Sequence, residues 1–96
     1  MQFNLAGLSF RPASAKKVFG ELEPGDEVDL IREPDNCYDH NAIQIYFRGE
    51  HIGYVAAVTA ITLAPILDER GGSDVARCDD VLHPRSASFT FDAENV

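Results

Sequence analysis

The sequence predicts a mostly β domain with one or two short helices, arranged as a small, partly closed six-stranded β-barrel. Three observations predict it. Six short segments alternate apolar and polar residues or run β-branched and aromatic, as strands with one buried face do. Turn-forming Gly, Pro, Asn and Asp residues separate most of these segments. A single alanine-rich stretch, AAVTAITLAPILDE at 56–69, supplies the helix. Nothing repeats, no tract is of low complexity and no linker divides the chain, so residues 1–96 read as one domain.

Residues 2–10, QFNLAGLSF, set out a first strand with Phe3, Leu5, Leu8 and Phe10 as its apolar positions. The alternation slips by one beside Gly7, which predicts a bulge or bend there. Arg11-Pro12 ends the strand, and Pro12 to Val18 reads as a short helical turn anchored by Val18, Phe19 and Leu22. Glu23-Pro24-Gly25-Asp26 has the proline and glycine of a type II turn. In the second strand Val28, Leu30 and Arg32 alternate with Glu27, Asp29 and Ile31, and Pro34 breaks the ladder because it has no donor.

Ala42 to Phe47 is a β-branched, aromatic third strand, Arg48-Gly49-Glu50 a tight hairpin connection, and His51 to Val55 the returning fourth strand. In the helical stretch, Val58, Ile61, Ile66 and Leu67 fall roughly on one face. Pro65 predicts either two short pieces or one distorted helix. Arg70-Gly71-Gly72 stops it. Val75, Arg77 and Asp79 mark one face of a fifth strand and Ala76 and Cys78 the other. Ala87, Phe89 and Phe91 form the buried face of a sixth.

Composition bounds the function. A hydrophobic share of 45%, with six Phe and three Tyr, is that of a globular protein. No apolar run approaches the ~20 residues of a membrane span, and Met1 to Leu5 shows no feature of a secretion signal. Cys37 and Cys78 form no disulfide framework, so a reduced, cytoplasmic protein is expected. Sixteen acids against eight bases give a formal charge of -8, which excludes indiscriminate coating of a phosphate backbone. A local basic patch has candidates in Arg11, Lys16 and Lys17, and in Arg32 and Arg48. The acids crowd at 21–29, at Asp79 and Asp80, and at Asp92 and Glu94.

The most informative stretch is REPDNCYDHNAIQIYFRGEHIGYV, from Arg32 to Val55. A polar cluster, Asn36 to Asn41, stands at the mouth of the hairpin. It is open to two readings. Asp and Asn cap turns and Tyr packs on rims, which would make it loop structure. Alternatively, an exposed Asp beside a Tyr accepts a hydrogen bond from a hydroxyl while the ring covers a sugar or base. Asn36 and Asn41 suit the structural role, and Gly53 suits a close backbone approach. Cys37, Asp39, His40, His51, Cys78 and His83 are all metal-ligand types, but none has the paired spacing of a structural zinc site, so no cofactor is expected. Cys37 with His40 lacks a legible orienting group for nucleophilic catalysis, and Arg70-Gly71-Gly72 opens no phosphate-binding helix.

Asn36-Cys37-Tyr38-Asp39-His40-Asn41-Ala42-Ile43, the turn, Ile52-Gly53-Tyr54 and the alanine-rich helix, in that order, resemble the HIRAN domain. Gly7-Leu8-Ser9-Phe10 resembles that family's first strand, and the likeness covers roughly residues 5–92. The resemblance implies a barrel similar to the OB fold that recognises single-stranded DNA, a domain that captures a 3′ end in larger fork-remodelling helicases. Carried over, Phe10 is an aromatic stacker on the first strand, Tyr38 a second aromatic, and Asp39 the carboxylate that accepts from the terminal 3′-hydroxyl. Tyr54 is then a polar ring near the backbone. Ser9 and Ala57 stand where DNA-binding members carry cations, and Arg11 is the candidate replacement for one of them.

The expectation is therefore a non-catalytic module that binds a single-stranded DNA end in repair or fork processing, alongside a helicase or nuclease. The rival is a protein-interaction module on the same fold, suited by the -8 charge to a basic partner. A metal-dependent enzyme would require His40, His51 and a cysteine to converge.

Overall fold

Phe3 and Leu5 point inward from β1 (Gln2–Ala6), and the chain then turns sharply at Gly7, whose φ of +83° lies in the left-handed region. The computed structural model describes residues 1–82 and 85–92. The bend expected at Gly7 is present, but the strand does not continue through it. Leu8–Phe10 is a 3₁₀ turn that buries Leu8 and leaves Phe10 outside. Helix α1 (Ala13–Phe19) follows Pro12 and anchors through Ala15 and Phe19, with Leu22 beyond its end. The Glu23–Asp26 turn closes through Asp26 N–H to Glu23 O (3.1 Å), with Gly25 at φ +96°, as type II geometry requires.

Five further strands complete the wall: β2 (Glu27–Arg32), β3 (Ile43–Phe47) and β4 (Glu50–Val55), then, after α2 (Ala57–Glu69), β5 (Ser73–Leu82) and β6 (Ser86–Thr90), which pair with each other. All neighbours are antiparallel in the order β1-β4-β3-β2-β5-β6, and β6 pairs back onto β1, so the barrel closes fully. Phe3 and Phe89 stack across that seam with ring centroids 5.3 Å apart. The interior is aliphatic and aromatic, with Leu30, Ile43, Ile45, Ile52 and Phe89 fully buried, each contributing about 1.5–3 kcal/mol by leaving water. Among the described residues no helix is long and apolar enough to cross a membrane.

The hairpin between β3 and β4 turns on Arg48 and Gly49, both at positive φ (51° and 80°), the two-residue form whose twist matches the strands. β4 is not regular. Ile45 pairs with Gly53 but Tyr46 with His51, leaving Ile52 as an extra residue. This bulge lets Ile52 and Val55 both face the core and swings His51 and Tyr54 to the same outer side.

Helix α2 is a single helix with Pro65 inside it rather than two pieces. Its buried stripe also differs from expectation. Ala60, Leu63, Ala64 and Leu67 face the barrel, while Val58 and Ile61 are 80% and 62% exposed. The stripe is the i, i+3, i+4, i+7 set, and small alanines let the helix sit close, so residue size misled the choice of face. Leu63→Ala is accordingly expected to cost about 2–4 kcal/mol, and Ile61→Ala less than about 0.5 kcal/mol. Urea denaturation of the two variants decides it, and equal losses would refute this placement.

Candidate functional site

The polar loop is built on Glu33. A turn closes from Asn36 N–H to Glu33 O (3.1 Å) around Pro34. The Asn36 side chain then works in both directions. Its Nδ2 donates to Glu33 Oε1 (2.7 Å), and its Oδ1 accepts the N–H groups of Tyr38 (2.9 Å) and Asp39 (3.1 Å). Asp39 Oδ1 accepts the Asn41 N–H (2.9 Å), and Ala42 N–H returns to Asp39 O (3.1 Å). These are the local side-chain bonds that Asn and Asp favour, and here they fix the loop. Asn36 is structural as expected; Asn41 contributes its backbone N–H.

Arg32 braces the loop from behind. Its Nε donates to Asp68 Oδ1 (2.9 Å), and its two Nη groups donate to the carbonyls of Ala42 (2.8 Å) and His40 (3.0 Å). The side chain is only 8% exposed. Arg48 pairs with Glu21 and covers the Phe47 ring. Arg32 is therefore committed to the loop and not to the patch the sequence offers, whereas Arg48 stays 56% exposed in a surface ion pair.

The front of the loop carries what the packing does not use. Tyr38 is 95% exposed and Phe10 89% exposed, so neither ring packs as a core or rim residue. Phe10 stands on the 3₁₀ turn rather than on a strand, because Gly7 ends the pairing of β1 first. Asp39 is half-buried, and its Oδ2 accepts no hydrogen bond among the described residues.

Tyr54 and His51 on β4 connect the loop, through Glu33, to Arg11 at the end of the 3₁₀ turn. The Tyr54 hydroxyl donates to the Glu33 carboxylate (3.1 and 3.2 Å), which also accepts from Gln44 Nε2. Burial, and then the hydrogen bond and charge of Glu33, hold the Tyr54 pKa above its ordinary value, so the proton stays on. Tyr54 thus offers a ring and an acceptor, its single proton being committed. His51 meets Tyr54 edge-on at 4.8 Å, stacks on Tyr46 at 5.2 Å, and its Nε2–H donates to Gly53 O (2.9 Å). Burial, and then the Arg11 guanidinium, lower its pKa. Arg11 Nε donates to His51 O (2.8 Å), leaving both Nη groups without a partner among the described residues.

A continuous series of contacts therefore runs from Arg11 through His51, Tyr54, Glu33 and Asn36 to Tyr38 and Asp39. The sequence reading missed Glu33, Gln44 and His51 as its supports. The signal for Glu33 was its place before Pro34 at the end of β2, where a half-exposed acid passes for ordinary turn chemistry. The metal-ligand types do not gather: no group of three His, Cys, Asp or Glu suited to a metal occurs among the described residues, and His83 and Glu94 lie outside them. Cys78 is buried, and burial raises its thiol pKa, whereas Cys37 is exposed beside Tyr38.

Two exposed rings, on the 3₁₀ turn and on the braced loop, thus stand on the outside of a closed six-stranded barrel. The chain belongs to the HIRAN domain family, whose profile matches residues 1–93. A crystal structure of a protein from Lactobacillus plantarum superposes over 92% of this chain and 85% of that one, with a TM-score of 0.81 and 21% identity. The HIRAN domain of human HLTF superposes over 93% of this chain and 69% of that one, with a TM-score of 0.72 and 22% identity. Among curated proteins, a putative SWI/SNF-related matrix-associated actin-dependent regulator of chromatin, subfamily A member 3-like 1, from Arabidopsis thaliana is 40% identical over 66 residues, 68% of this chain. A Fanconi-associated nuclease 1 homolog from Oryza sativa subsp. japonica is 36% identical over 52 residues, 50% of this chain. The matched regions are 7% and 5% of those two proteins.

Proposed function

We propose that this chain is a non-catalytic module that binds single-stranded DNA by a free 3′-hydroxyl end, in repair or replication-fork processing. The observation that carries the reading is two solvent-facing rings, Phe10 and Tyr38, the second of them next in sequence to a carboxylate with one uncommitted oxygen. The rings stack on bases, an interaction worth about 1–3 kcal/mol per base. Asp39 Oδ2 accepts the terminal hydroxyl and repels a phosphate at the same place, which selects ends over continuous strand. The free Nη groups of Arg11 face the backbone, and the Tyr54 ring walls the strand. The names of the plant relatives, a chromatin regulator and a nuclease, support a DNA-processing setting with a helicase or nuclease as partner.

The test is fluorescence anisotropy at low salt with a labelled single strand of about ten nucleotides, ending in either a 3′-hydroxyl or a 3′-phosphate. The hydroxyl end is expected to bind at least about tenfold more tightly, and Tyr38→Ala to weaken it by roughly tenfold. Asp39→Ala should abolish the preference for the hydroxyl. Equal binding of both ends by the unmodified protein would overturn the mechanism. The -8 charge favours a second reading, a protein-interaction module. Absence of binding to either strand by folded protein would select it.

A further inference from the structure

The strand registers fix which side chains are neighbours on the outside of the barrel wall. Val75 on β5, Asp29 on β2, Tyr46 on β3 and His51 on β4 lie in one cross-strand row, and Ser73, Ile31, Gln44 and Tyr54 lie in the next. Leu30 and Ile45, between the rows, point into the core. Asp29 is thus enclosed on three sides. Val75 and Tyr46 stand directly across from it, at the spacing of about 5 Å between Cβ atoms that opposed residues keep. Ile31 follows it on the same face of β2, and both Ile31 and Val75 are exposed. His51 stacks on one face of the Tyr46 ring, so the other face is on the Asp29 side of the row. The other strand carboxylates have polar neighbours. Glu27 lies opposite Arg77 and Asp80 opposite Ser88, while Glu50, Asp74 and Asp79 accept from Ser14, Arg70 and Thr90. Among the described strands, Asp29 alone has apolar or aromatic side chains on three sides, and it makes no hydrogen bond or ion pair among the described residues.

We propose that this face docks a segment of a partner protein that presents an arginine between apolar side chains. The guanidinium meets the Asp29 carboxylate beside the Tyr46 ring, joining a charge-assisted bond to a cation–π contact. The flanking apolar side chains cover Ile31 and Val75. The position of Asp29 selects this occupant. Whatever covers Ile31 and Val75 also takes Asp29 out of water, and a buried carboxylate is costly unless a cation arrives with it. A purely apolar partner brings none. A second copy docking by the same face brings its own Asp29 and Glu27, carboxylates against carboxylates. A nucleic-acid backbone brings phosphate to the same two acids. Arginine suits the place better than lysine, because its planar group covers a ring and bonds a carboxylate together. The closed barrel offers no free strand edge, so side chains and not strand pairing hold the segment. Val58 and Ile61 on α2 are more exposed, but no charged residue in the adjoining turns selects a partner for them. The basic partner expected from the overall charge of -8 thus has a defined place, one that uses neither Phe10, Tyr38 nor Asp39.

The probe is a labelled peptide of about nine residues with one arginine between leucines, and the control has glutamine in its place. The arginine peptide is expected to bind saturably and about tenfold more tightly than the control, and D29N to remove that difference. Reversal of charge tests whether the contact is direct: D29R should refuse the arginine peptide and accept one with glutamate in its place. Asp29 is exposed, so both variants should melt as the unmodified protein does. Amide shifts in NMR should gather at Ile31, Tyr46 and Val75. No binding of the arginine peptide, equal binding of the arginine and glutamine peptides, or indifference to D29N would overturn the proposal. Shifts confined to Tyr38 and Asp39 would do the same. Shifts of Ile31 and Val75 caused by a 3′-hydroxyl single strand and not by the peptide would also overturn it, and would give the face to nucleic acid.

Discussion

Gly53→Ala is expected to lower the stability of the barrel by about 3 kcal/mol, roughly 15 °C in Tm. A Cβ at this position would lie 2.6 Å from the Ala6 carbonyl oxygen and 3.1 Å from Leu5 Cγ. The obstacle is backbone on the neighbouring strand, so relief requires β1 and β4 to move apart at the very place where the bulge sets the outward aim of Tyr54. A comparison separates space from conformation. Gly49 sits at φ +80°, and a Cβ there would meet nothing within 4 Å. Gly49→Ala should then cost only about 1 kcal/mol, the ordinary penalty for a left-handed residue. Thermal melts of both variants decide the matter. A Gly53→Ala protein melting within about 4 °C of the unmodified one would show that the strands separate freely.

Glu33→Ala is expected to weaken single-strand binding about tenfold and to cost about 2 kcal/mol of stability, through donors left without an acceptor. In the proposed complex Glu33 touches no nucleic acid. It holds Tyr54, Gln44 and Asn36 at once, and Asn36 in turn positions the backbone of Tyr38 and Asp39. A readout specific to this role is the Tyr54 titration. Burial would keep its pKa raised, but the part due to Glu33 would be lost, so the phenol should ionise at lower pH in the variant. Glu33→Gln retains one acceptor oxygen and should recover part of the affinity. An unchanged Tyr54 titration would remove Glu33 as the positioning residue.

Much of this arrangement was legible in the sequence because it rests on strong local rules. The Glu23–Asp26 turn, the β3–β4 hairpin and the alternation of β2 and β6 follow from Pro, Gly and period-two patterning, and each forms as expected. In the loop cluster the turn chemistry of Asn36 and Asp39 was equally plain, and both side chains bond the local backbone as such residues do. The β4 bulge was hidden. Five residues of strand look alike with or without one extra, and only the register with Ile45 and Tyr46 reveals it. The 3₁₀ turn was hidden for a related reason: Leu8 and Phe10 keep a strand's spacing while Gly7 ends the strand before them. On α2 the alanines carried the packing, and a reading that weights large side chains selects Val58 and Ile61 instead. Arg32 looked like surface charge because nothing local names its three distant acceptors.

Closure of the barrel through β1 and β6 has a consequence for how such a domain is carried. The backbone groups of Met1 and Phe91 bond to each other in both directions at 2.8 Å. The path of the chain into the fold and its path out lie side by side at one seam, remote in sequence and adjacent in space. A longer polypeptide can hold the domain like a pendant on a single clasp, with no need to thread past it. Tension along that polypeptide would act at the clasp, where β1 and β6 are paired.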